Sequence, residues 1–441
     1  MFCGDETGAF VADLGYTNSR FGYGGDPDPK LQVPSYVTPG GNVGLSYLHA
    51  QRPPLENPTS PISRIYGNPK MPGEVTNWET WEKTWLSAGR QMSCDFPEHP
   101  VLLTNPGSIP KGQKETISEI MFEKLGAPGL FIAHTPALTA FSLGRHTALV
   151  VDCGGGGNVV SPVIDGMVLG RSQRRNLRGG EAIGKEYWKR IEAKVGRKVA
   201  VRTEKGKDGV YGDVSDDYLA NLTGDEVVYR DLCIEEVMAD FKRCHGYMAQ
   251  FGSLDLREVK SLIPPSSIYE LPDGTPVNVN DSPELFETPE MHYKAEEVGP
   301  EKEESIGSMD VEGSSGGADG EKEGGYEDPL LKSLPLHKLA HNALSSSDAD
   351  ARKELLLNVV VSGSGSFFPG FDSRLQKELG GLVPSTYRVK LTAGKHKEER
   401  SNAAWVGGSI LTSLGSFQQL WLSKQEFEEL GSTLGCQRFP G

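Results

Sequence analysis

The chain has 441 residues, 37% of them hydrophobic, and can therefore bury a sizeable core spread over two to four domains. Its formal net charge of −15 argues against a dominant nucleic-acid surface and favours basic partners or plain solubility. Six scattered cysteines predict a reducing compartment, and the absence of a signal peptide or of a ~20-residue apolar run predicts a cytosolic or nuclear protein with no membrane partner.

The first element is a short apolar strand that ends in a carboxylate. Residues 10–14 are apolar except for Asp13, and Gly15 follows. A glycine lets backbone N–H groups approach a phosphate with no β-carbon in the way, and a carboxylate beside phosphates usually acts through Mg²⁺ and its waters. Arg20 comes next, where it could reach phosphates as a bidentate donor or remain a solvated strand residue.

The chain then passes from an irregular segment into alternating strands and helices. Residues 38–74 contain seven prolines among Gly, Asn and Ser, which predicts a loop-rich excursion. Three tryptophans at the spacing of a core-facing helix follow, at Trp78, Trp81 and Trp85. A buried strand at 100–104, a helix from Glu115 and a strand at 130–132 continue the series, which predicts an α/β architecture.

The Asp-ended strand returns more than a hundred residues later. A strand at 149–151 runs into Asp152 and four consecutive glycines, which could form a phosphate loop or only a hairpin turn. A third strand, at 359–361, ends in the Gly-rich turn 362–365. Together these favour two similar α/β halves that close on one nucleotide, with Asp13 and Asp152 facing each other across a metal.

Three further segments stand out, of which two are highly charged and one begins a helix. An arginine run predicts a solvated face or a contact with an acidic partner, and consists of Arg171, Arg174, Arg175 and Arg178. Residues 296–328 hold twelve acids against two lysines, which predicts a disordered segment, either a solubilising loop or a tether for basic partners such as histone tails. Asp372 is predicted to N-cap a helix through Leu375 and Leu379.

Several long motifs resemble those of actins and actin-related proteins, and they occur in the family's order. The motif from Trp405 reads W-V-G-G-S-I-L-T-S-L-G-S-F-Q-Q-L-W-L-S-K-Q-E-F-E-E-L-G, and the one from Val75 reads V-T-N-W-E-T-W-E-K. Shorter matches are P-E-H-P-V-L-L-T, I-M-F-E-K-L, Y-E-L-P-D-G and L-Q-K-E-L, which begin at Pro97, Ile120, Tyr269 and Leu375. The resemblance covers nearly the whole chain except about 38–74, 195–230 and the acidic segment.

This resemblance implies the actin-like two-lobed fold. That α/β fold consists of duplicated ribonuclease-H-like domains, with four subdomains around a nucleotide cleft. By resemblance, subdomain 1 comprises residues 1–35, 75–142 and 403–441, and subdomain 2 is the irregular segment 36–74. Subdomain 3 comprises 143–178 and 293–402 with the acidic insertion 296–328, and subdomain 4 comprises 179–292.

Within the family, the start of the chain most resembles the nuclear actin-related protein 4 class. The motifs are G-D-E-T-G-A-F-V-A-D-L-G from Gly4 and R-F-G-Y-G-G-D from Arg20. That class serves in SWI/SNF-type and INO80-type chromatin remodelers and in histone acetyltransferase complexes. The resemblance therefore implies a nuclear, non-filamentous subunit with some cytoplasmic pool, without sequence-specific nucleic-acid binding. Its expected partners are nuclear actin, a scaffold helix bound near 405–420, and histones through 296–328.

The resemblance also implies a site for ATP with Mg²⁺. Its expected contacts are Asp13, Gly15, Arg20, Asp152, Gly154, Gly155, Gly156, Gly363, Ser364 and Phe368. Asp13 and Asp152 would hold the metal through water. Arg20 keeps the positive charge of the family's phosphate-contacting lysine, and Ser364 is a mild change in the turn beneath the adenine.

Several positions depart from the family's pattern. Tyr16 and Thr17 add bulk where the family has a Ser and a Gly that donate to phosphates. Thr135 is too short to replace the glutamine that positions attacking water, Gly155 replaces an acid, and Val159 replaces a histidine. Phosphoryl transfer depends on positioning and electrostatics. We therefore expect negligible hydrolysis, no catalytic residue, and a structural nucleotide pocket that could also be empty.

Two other functions remain open at this point. A polymerising actin-like ATPase of the cytoskeleton would need the lost water-positioning groups, and filament contacts in the Pro-rich segment 38–74. A small-molecule kinase on the same architecture, like the sugar kinases, would need a catalytic base near the γ-phosphate, and no such residue is found in the sequence.

Overall fold

The computed structural model describes most of the chain. The described residues are 8–37, 63–66, 74–106, 111–201, 204, 210–212, 214–248, 267–279, 285, 287–294, 334–435, 437 and 439. The acidic segment 296–328 and most of the Pro-rich segment 38–74 lie outside them, so the expectations placed there stay predictions, as do the subdomain boundaries.

The first sheet has six strands, with the Asp13 hairpin near its centre. Its strands are β1 (Phe10–Leu14), β2 (Asn18–Tyr23), β3 (Leu31–Pro34), β6 (Val101–Asn105), β7 (Gly129–His134) and β16 (Leu422–Ser423), and β4 (Tyr36–Val37) pairs separately with β5 (Ser63–Arg64). The order is β16-β7-β6-β1-β2-β3, in which β1, β6 and β7 are parallel and β1 and β2 form an antiparallel hairpin. The strands of the parallel part are almost wholly buried, as their continuous apolar runs require.

The second sheet repeats this plan around Asp152. Its strands are β8 (Ala148–Cys153), β9 (Asn158–Ile164), β10 (Met167–Val168), β11 (Arg174–Asn176), β14 (Val359–Ser362) and β15 (Leu391–Ala393), and β12 (Ile268–Glu270) pairs separately with β13 (Pro276–Asn278). Strands β8 and β9 form the antiparallel hairpin, and β14 runs parallel to β8 with Ser362 beside Asp152. The two predicted Asp-ended hairpins and the third strand are therefore confirmed.

Twelve α-helices cover the sheets within the described residues. They are α1 (Trp78–Met92), α2 (Lys111–Glu119), α3 (Thr135–Ser142), α4 (Gly180–Val195), α5 (Asp216–Ala220), α6 (Gly224–His245), α7 (Leu336–Ser345), α8 (Ala349–Leu357), α9 (Phe371–Leu382), α10 (Lys397–Ser401), α11 (Ala403–Thr412) and α12 (Lys424–Gly435). In this part of the chain, no helix combines the length and the apolar character that a bilayer crossing requires.

The helices agree with the sequence pattern in outline and differ at one cap. Trp81 and Trp85 are buried on the core face of α1, as their spacing predicts. The prediction that Asp372 caps α9 is wrong. Gly370, with φ of 89°, stands at the N-cap, and Asp372 lies inside the helix, where its carboxylate accepts a hydrogen bond from Arg400 Nη1 at 3.1 Å. Glycine adopts this left-handed backbone without strain, so it displaces the capping side chain.

Two apolar cores divide the molecule into two lobes. We call the part built on the first sheet the first lobe, and the part built on the second sheet the second lobe. The first lobe's core combines residues from the start of the chain with residues from its end, among them Phe10, Trp85, Phe131, Trp405, Phe417 and Phe427. The second lobe is inserted between these two stretches, and its core is separate.

Helices α3 and α11 pack closely where the chain passes between the lobes. A β-carbon at Gly407 of α11 would overlap the carbonyl of Leu138 in α3 and lie 2.9 Å from its Cα. Only glycine permits this approach of the two backbones. A small cluster that includes Ala137 and Ala140 of α3 packs against Val150 of β8, so α3 also contacts the second sheet.

Candidate functional site

The two Asp-ended hairpins and the third Gly-rich turn meet in a cavity between the lobes. The cavity has a volume of about 140 Å³. Its lining includes nearly all the predicted contacts, namely Asp13, Gly15, Arg20, Asp152, Gly154, Gly155, Gly156, Gly363 and Ser364. Residues that lie 350 positions apart in sequence are thus brought to one place, because both hairpins open toward the same cleft.

Asp13 is held by groups of its own lobe. One carboxylate oxygen lies 3.2 Å from Arg20 Nη1, and the other accepts a hydrogen bond from Thr104 Oγ1 at 2.7 Å. Arg20 Nε also donates to Asn402 Oδ1 at 2.8 Å, so this guanidinium joins the two parts of the first lobe. Arg20 is therefore not a solvated strand residue, since Nε and Nη1 are engaged within the first lobe; its contact with a phosphate stays a prediction.

Asp152 has a different environment from Asp13. Its Oδ1 accepts a hydrogen bond from Ser362 Oγ at 2.9 Å across the parallel strands β8 and β14. Burial raises the pKa of Asp152, and the hydrogen bond from Ser362 offsets only part of that rise. The two carboxylates are therefore not equivalent, because Asp13 has a paired cation and Asp152 has none in direct contact among the described residues.

The glycine run is fixed by the beginning of α4. Gly180 N donates to Gly154 O and Glu181 N donates to Gly155 O, both at 2.9 Å. A β-carbon at Gly179 would lie 2.7 Å from the carbonyl oxygen of Gly154 and would collide with the backbone of the rest of the run. The run is therefore a rigid turn fitted to α4, and its glycines are needed for packing as well as for access to the cleft.

The third turn contributes two residues to the cavity and leaves one outside. Gly363 has φ of 84°, and together with Ser364 it lines the cavity. Phe368, which is expected beneath an adenine, is buried in the second core, where its ring lies 6.2 Å from that of His292. A β-carbon at Gly246 would collide with this ring, so the end of α6 also packs on it. Phe368 does not line the cavity, and its contact with a nucleotide stays a prediction.

The bulky residues of the first loop stand directly against the glycine run. A β-carbon at Gly156 would lie 2.8 Å from the ring of Tyr16, and one at Gly155 would collide with the hydroxyl of Thr17. The side chains of the first hairpin loop therefore lie on the second hairpin loop, and a Cβ at either glycine would push the lobes apart. The three departures from the family's pattern are therefore complementary in shape, because the bulk of Tyr16 and Thr17 lies where Gly155 has no side chain.

The positions expected to activate water are occupied by Thr135 and Val159. Thr135 lines the cavity, and its buried hydroxyl has no hydrogen-bond partner among the described residues. Val159 also lines the cavity and carries no donor or acceptor. General-base or water-positioning chemistry requires a polar group within about 3 Å of the reacting oxygen. Val159 has no polar side-chain atom, and Thr135 offers only its hydroxyl.

The structure adds site residues that the sequence interpretation missed. Arg175 and Arg400 line the cavity, and Tyr66 lines it while donating to Leu14 O at 2.9 Å. Arg175 belongs to the arginine run, whose predicted solvated face is wrong for Arg178, because Arg178 is buried and donates to Met291 O at 2.8 Å. Side chains alternate between the two faces of a strand, and this alternation along β11 could have indicated that Arg175 lines the cavity. No local sequence pattern indicates this for Tyr66.

A charged cluster closes the cleft next to Tyr16. Arg64 Nη2 of β5 donates to Glu235 Oε1 of α6 at 2.6 Å, and Arg64 Nη1 lies 3.9 Å from Glu181 Oε2 of α4. The Arg64 guanidinium carbon lies 6.0 Å from the centroid of the Tyr16 ring. Burial, the largest cause, and the nearby charge of Glu181 raise the pKa of the Tyr16 hydroxyl. Lys185 pairs with the outer oxygen of Glu181 at 2.8 Å.

The pH dependence of stability should report on Glu235. Burial, the largest cause, raises the pKa of Glu235 to about 7, against roughly 4.3 in an unfolded chain. Between these values the folded protein binds a proton that the unfolded chain does not, so the free energy of unfolding falls as pH rises. The charged and titratable groups around this carboxyl are Tyr16, Arg64, Glu181, Lys185 and Lys242.

We therefore expect the wild type to lose stability relative to Glu235→Gln as pH rises from about 5 to about 7.5. Urea titrations of both proteins across that range give the measurement. A difference in unfolding free energy that stays constant with pH would show that Glu235 does not carry the extra proton.

The cavity fits an ATP with Mg²⁺ poorly. Ligand pockets usually enclose roughly 300–1,000 Å³, and this cavity encloses about 140 Å³. Each oxygen of Asp13 already has a contact within the protein, with Arg20 or with Thr104. Tyr16 and Thr17 stand on the glycines whose N–H groups would face phosphates. The residues of the expected site are present, but in this closed arrangement they contact one another.

Comparison with known proteins places these features in a family. The chain matches the actin family model over residues 4–440. It is 31% identical to actin-related protein 4 of Oryza sativa subsp. indica, over 98% of each chain. It is 30% identical to actin-related protein 4 of Arabidopsis thaliana over the full length of both, and 30% identical to actin-related protein 4 of Schizosaccharomyces pombe over 98% of this chain and 96% of the relative.

Proposed function

Since the chain belongs to the actin family, whose members bind nucleotide, we propose that it is a non-filamentous actin-related subunit of nuclear chromatin-remodeling or histone acetyltransferase complexes. It carries out no ATP hydrolysis, and any ATP it binds has a structural role. Support for the nuclear role comes from the similarity to proteins named actin-related protein 4 and from the motifs at the start of the chain.

The contact between Thr17 and Gly155 carries the non-enzymatic part of the proposal. It lies where the family's phosphate-contacting loop and acid would meet, and Thr135 has a shorter side chain than the glutamine that positions water in the family. Phosphoryl transfer owes nearly all of its acceleration to positioning and electrostatic stabilisation. A site without those groups keeps the fold of an ATPase but not its activity.

An exposed apolar surface at the end of α11 supports the partner-binding part. Ile410, Leu414 and Leu420 are 42%, 48% and 51% exposed, whereas Trp405 at the start of the same motif is fully buried. Exposed aliphatic side chains spaced along one helix and the turn after it suit the apolar face of a partner helix. We therefore place the scaffold helix on the surface formed by Ile410, Leu414 and Leu420, with nuclear actin as a second partner.

Two measurements on purified monomer test the non-enzymatic, non-filamentous state. We expect no steady phosphate release above buffer, and no pellet in high-speed centrifugation at high protein concentration with salt and Mg²⁺. Phosphate release at the rate of a filamentous actin, or filaments in the pellet, would favour the polymerising ATPase instead.

The partner surface is tested by exchanging one exposed leucine. Leu414→Asp should abolish co-purification of the scaffold subunit and actin from nuclear extract, identified by mass spectrometry, because a carboxylate would be buried without a partner. Leu430→Asp is the matched control, since Leu430 is similarly exposed, at 47%, and lies on α12. Equal recovery of partners with both variants would exclude the surface around Leu414.

The acidic insertion gives a separate test of histone contact. Residues 296–328 carry a net charge of −10, and basic histone tails are complementary in charge. Deleting 296–328 should weaken histone binding most at low salt, because exposed charge interactions are screened as ionic strength rises. Binding that is unchanged by the deletion at every salt concentration would remove the insertion from the histone-binding surface.

A further inference from the structure

The two lobes are joined in the closed cleft by side chains that come from opposite sides. Tyr16 lies in the loop between β1 and β2, and Arg64 lies in β5. Across the cleft, Glu181 lies in α4 and Glu235 lies in α6 of the second lobe. In the family a nucleotide lies in this cleft. Here the contacts across it are made by the chain itself.

The three charged members of this group are well enclosed and are paired across the cleft. The side chains of Arg64, Glu181 and Glu235 are only 16%, 15% and 12% exposed. The guanidinium of Arg64 lies 2.6 Å from Glu235 Oε1 and 3.9 Å from Glu181 Oε2, so one cation of the first lobe faces two carboxyls of the second. Interactions of this kind are stronger than exposed ion pairs because solvent screens them less.

Apolar packing supports the same closure. Tyr36 of β4 is 4% exposed and packs within the core of the second lobe. The ring of Tyr16 lies on Gly156. Tyr66 donates to the carbonyl of Leu14 at the end of β1, which anchors the residues after β5 to the first hairpin. The first lobe therefore contacts the second through a buried tyrosine as well as through charges.

We propose that Tyr16, Arg64, Glu181 and Glu235 form an interlobe bridge that replaces the nucleotide, so that the cleft stays closed without ATP or Mg²⁺. Tyr16 and Thr17 then have a positive role, because they fill the space of the phosphates and bring the first loop onto the glycine run. The bridge rests on the proposed non-enzymatic function, since a hydrolysing site would need ATP in the cavity that Tyr16 and Thr17 line.

The bridge predicts that nucleotide removal has no effect on the wild type. Protein stripped with EDTA and desalted should keep its melting temperature and its radius of gyration in X-ray scattering, whether or not ATP and Mg²⁺ are returned. Arg64→Met should melt earlier and have a larger radius of gyration, because both carboxyls lose their cation across the cleft. Arg243→Met is the matched control, since Arg243 pairs with Asp240 within α6 and joins nothing between the lobes.

A second pair of variants keeps the test decisive if Arg64→Met fails to fold. Tyr16→Phe keeps the ring on Gly156, removes only the hydroxyl on which the charge of Glu181 acts, and should open the cleft partially. Tyr16→Ser combined with Thr17→Gly should vacate the phosphate space and raise the affinity for ATP with Mg²⁺ at least tenfold in calorimetric titration.

Three results would overturn the bridge. They are expansion of the stripped wild type, identical behaviour of Arg64→Met and Arg243→Met, or tight ATP binding by the wild type that the double variant does not improve. Phosphate release or filaments from the wild type would instead defeat the proposed function. Expansion of a stripped chain that neither hydrolyses nor polymerises would defeat the bridge alone, so the two failures are distinguishable.

Discussion

Trp405→Ala should destabilise the first lobe by about 3–5 kcal/mol, the usual cost of truncating a fully buried tryptophan. The side chain of Trp405 is inaccessible to solvent, and its Nε1 donates to Val11 O of β1 at 3.0 Å. The ring lies so close to β2 that a β-carbon at Gly22 would collide with it. Its removal therefore leaves a cavity beside the hairpin that carries Asp13.

The unfolding free energy from urea denaturation gives the measurement, with two controls. Trp78→Ala should cost much less, because Trp78 is only partly buried on α1. Trp405→Phe should give an intermediate loss, since it keeps most of the volume and loses the hydrogen bond to Val11. Equal losses for Trp405→Ala and Trp78→Ala would contradict the central place of Trp405 in the core.

Arg374→Met should lower the free energy of unfolding by a similar amount, because it leaves the buried carboxylate of Glu290 without its cation. Arg374 of α9 contacts both oxygens of Glu290, at 3.0 and 3.1 Å, and the two side chains are 6% and 4% exposed. Removing one member of a buried ion pair typically costs about 3–5 kcal/mol. Glu378 also loses the guanidinium, which it contacts at 2.7 Å, but its carboxylate is partly solvated and tolerates the loss better.

The stability that Arg374→Met loses should be larger at high pH than at low pH. Burial raises the pKa of Glu290, and the charge of Arg374 opposes that rise. Without Arg374 the carboxyl of the folded state takes up a proton at still higher pH, so the variant loses stability as pH rises through that value. Chemical denaturation should thus find a smaller defect near pH 5 than near pH 8.

A double variant separates the stranded charge from other effects. Arg374→Met combined with Glu290→Leu should recover much of the stability, because an apolar pair of similar volume often replaces a buried ion pair without net cost. A double variant as unstable as Arg374→Met would mean that packing around Arg374, including its position 5.0 Å above the ring of Tyr293, matters more than the unpaired carboxylate.

The sequence predicted the scaffold well where local pattern and burial agree. The Asp-ended strands were predictable because a continuous apolar run interrupted by a single carboxylate and then glycine has few structural solutions in an α/β fold. The residues S-K-Q-E from Ser423 have the pattern of a capping box, and hydrogen bonds between Ser423 and Glu426 form that box at the start of α12. The cap of α9 was not predictable in this way, because a left-handed glycine at Gly370 outcompetes Asp372.

The sequence predicted most of the residues that line the cavity, but not how those residues contact one another. The carboxylates and glycines could be paired from their repeated motif, and the family resemblance is confirmed. The contact of Tyr16 with Gly156 was not predictable, because it depends on the separation of two loops some 140 residues apart. Arg64 lies in a segment without periodicity, so no local pattern pointed to its pairing with Glu235.

The inserted position of the second lobe bears on how the protein is made. The first sheet is synthesised early, yet its core is completed only by Trp405 and the residues after it. The ribosome adds roughly 5–20 residues per second, so the partly formed first lobe waits on the order of tens of seconds for its last helices. During that interval the second lobe can already fold as a continuous unit, while apolar faces of β1, β6 and β7 stay uncovered. Newly made chain should therefore depend on chaperones until its C-terminal helices emerge.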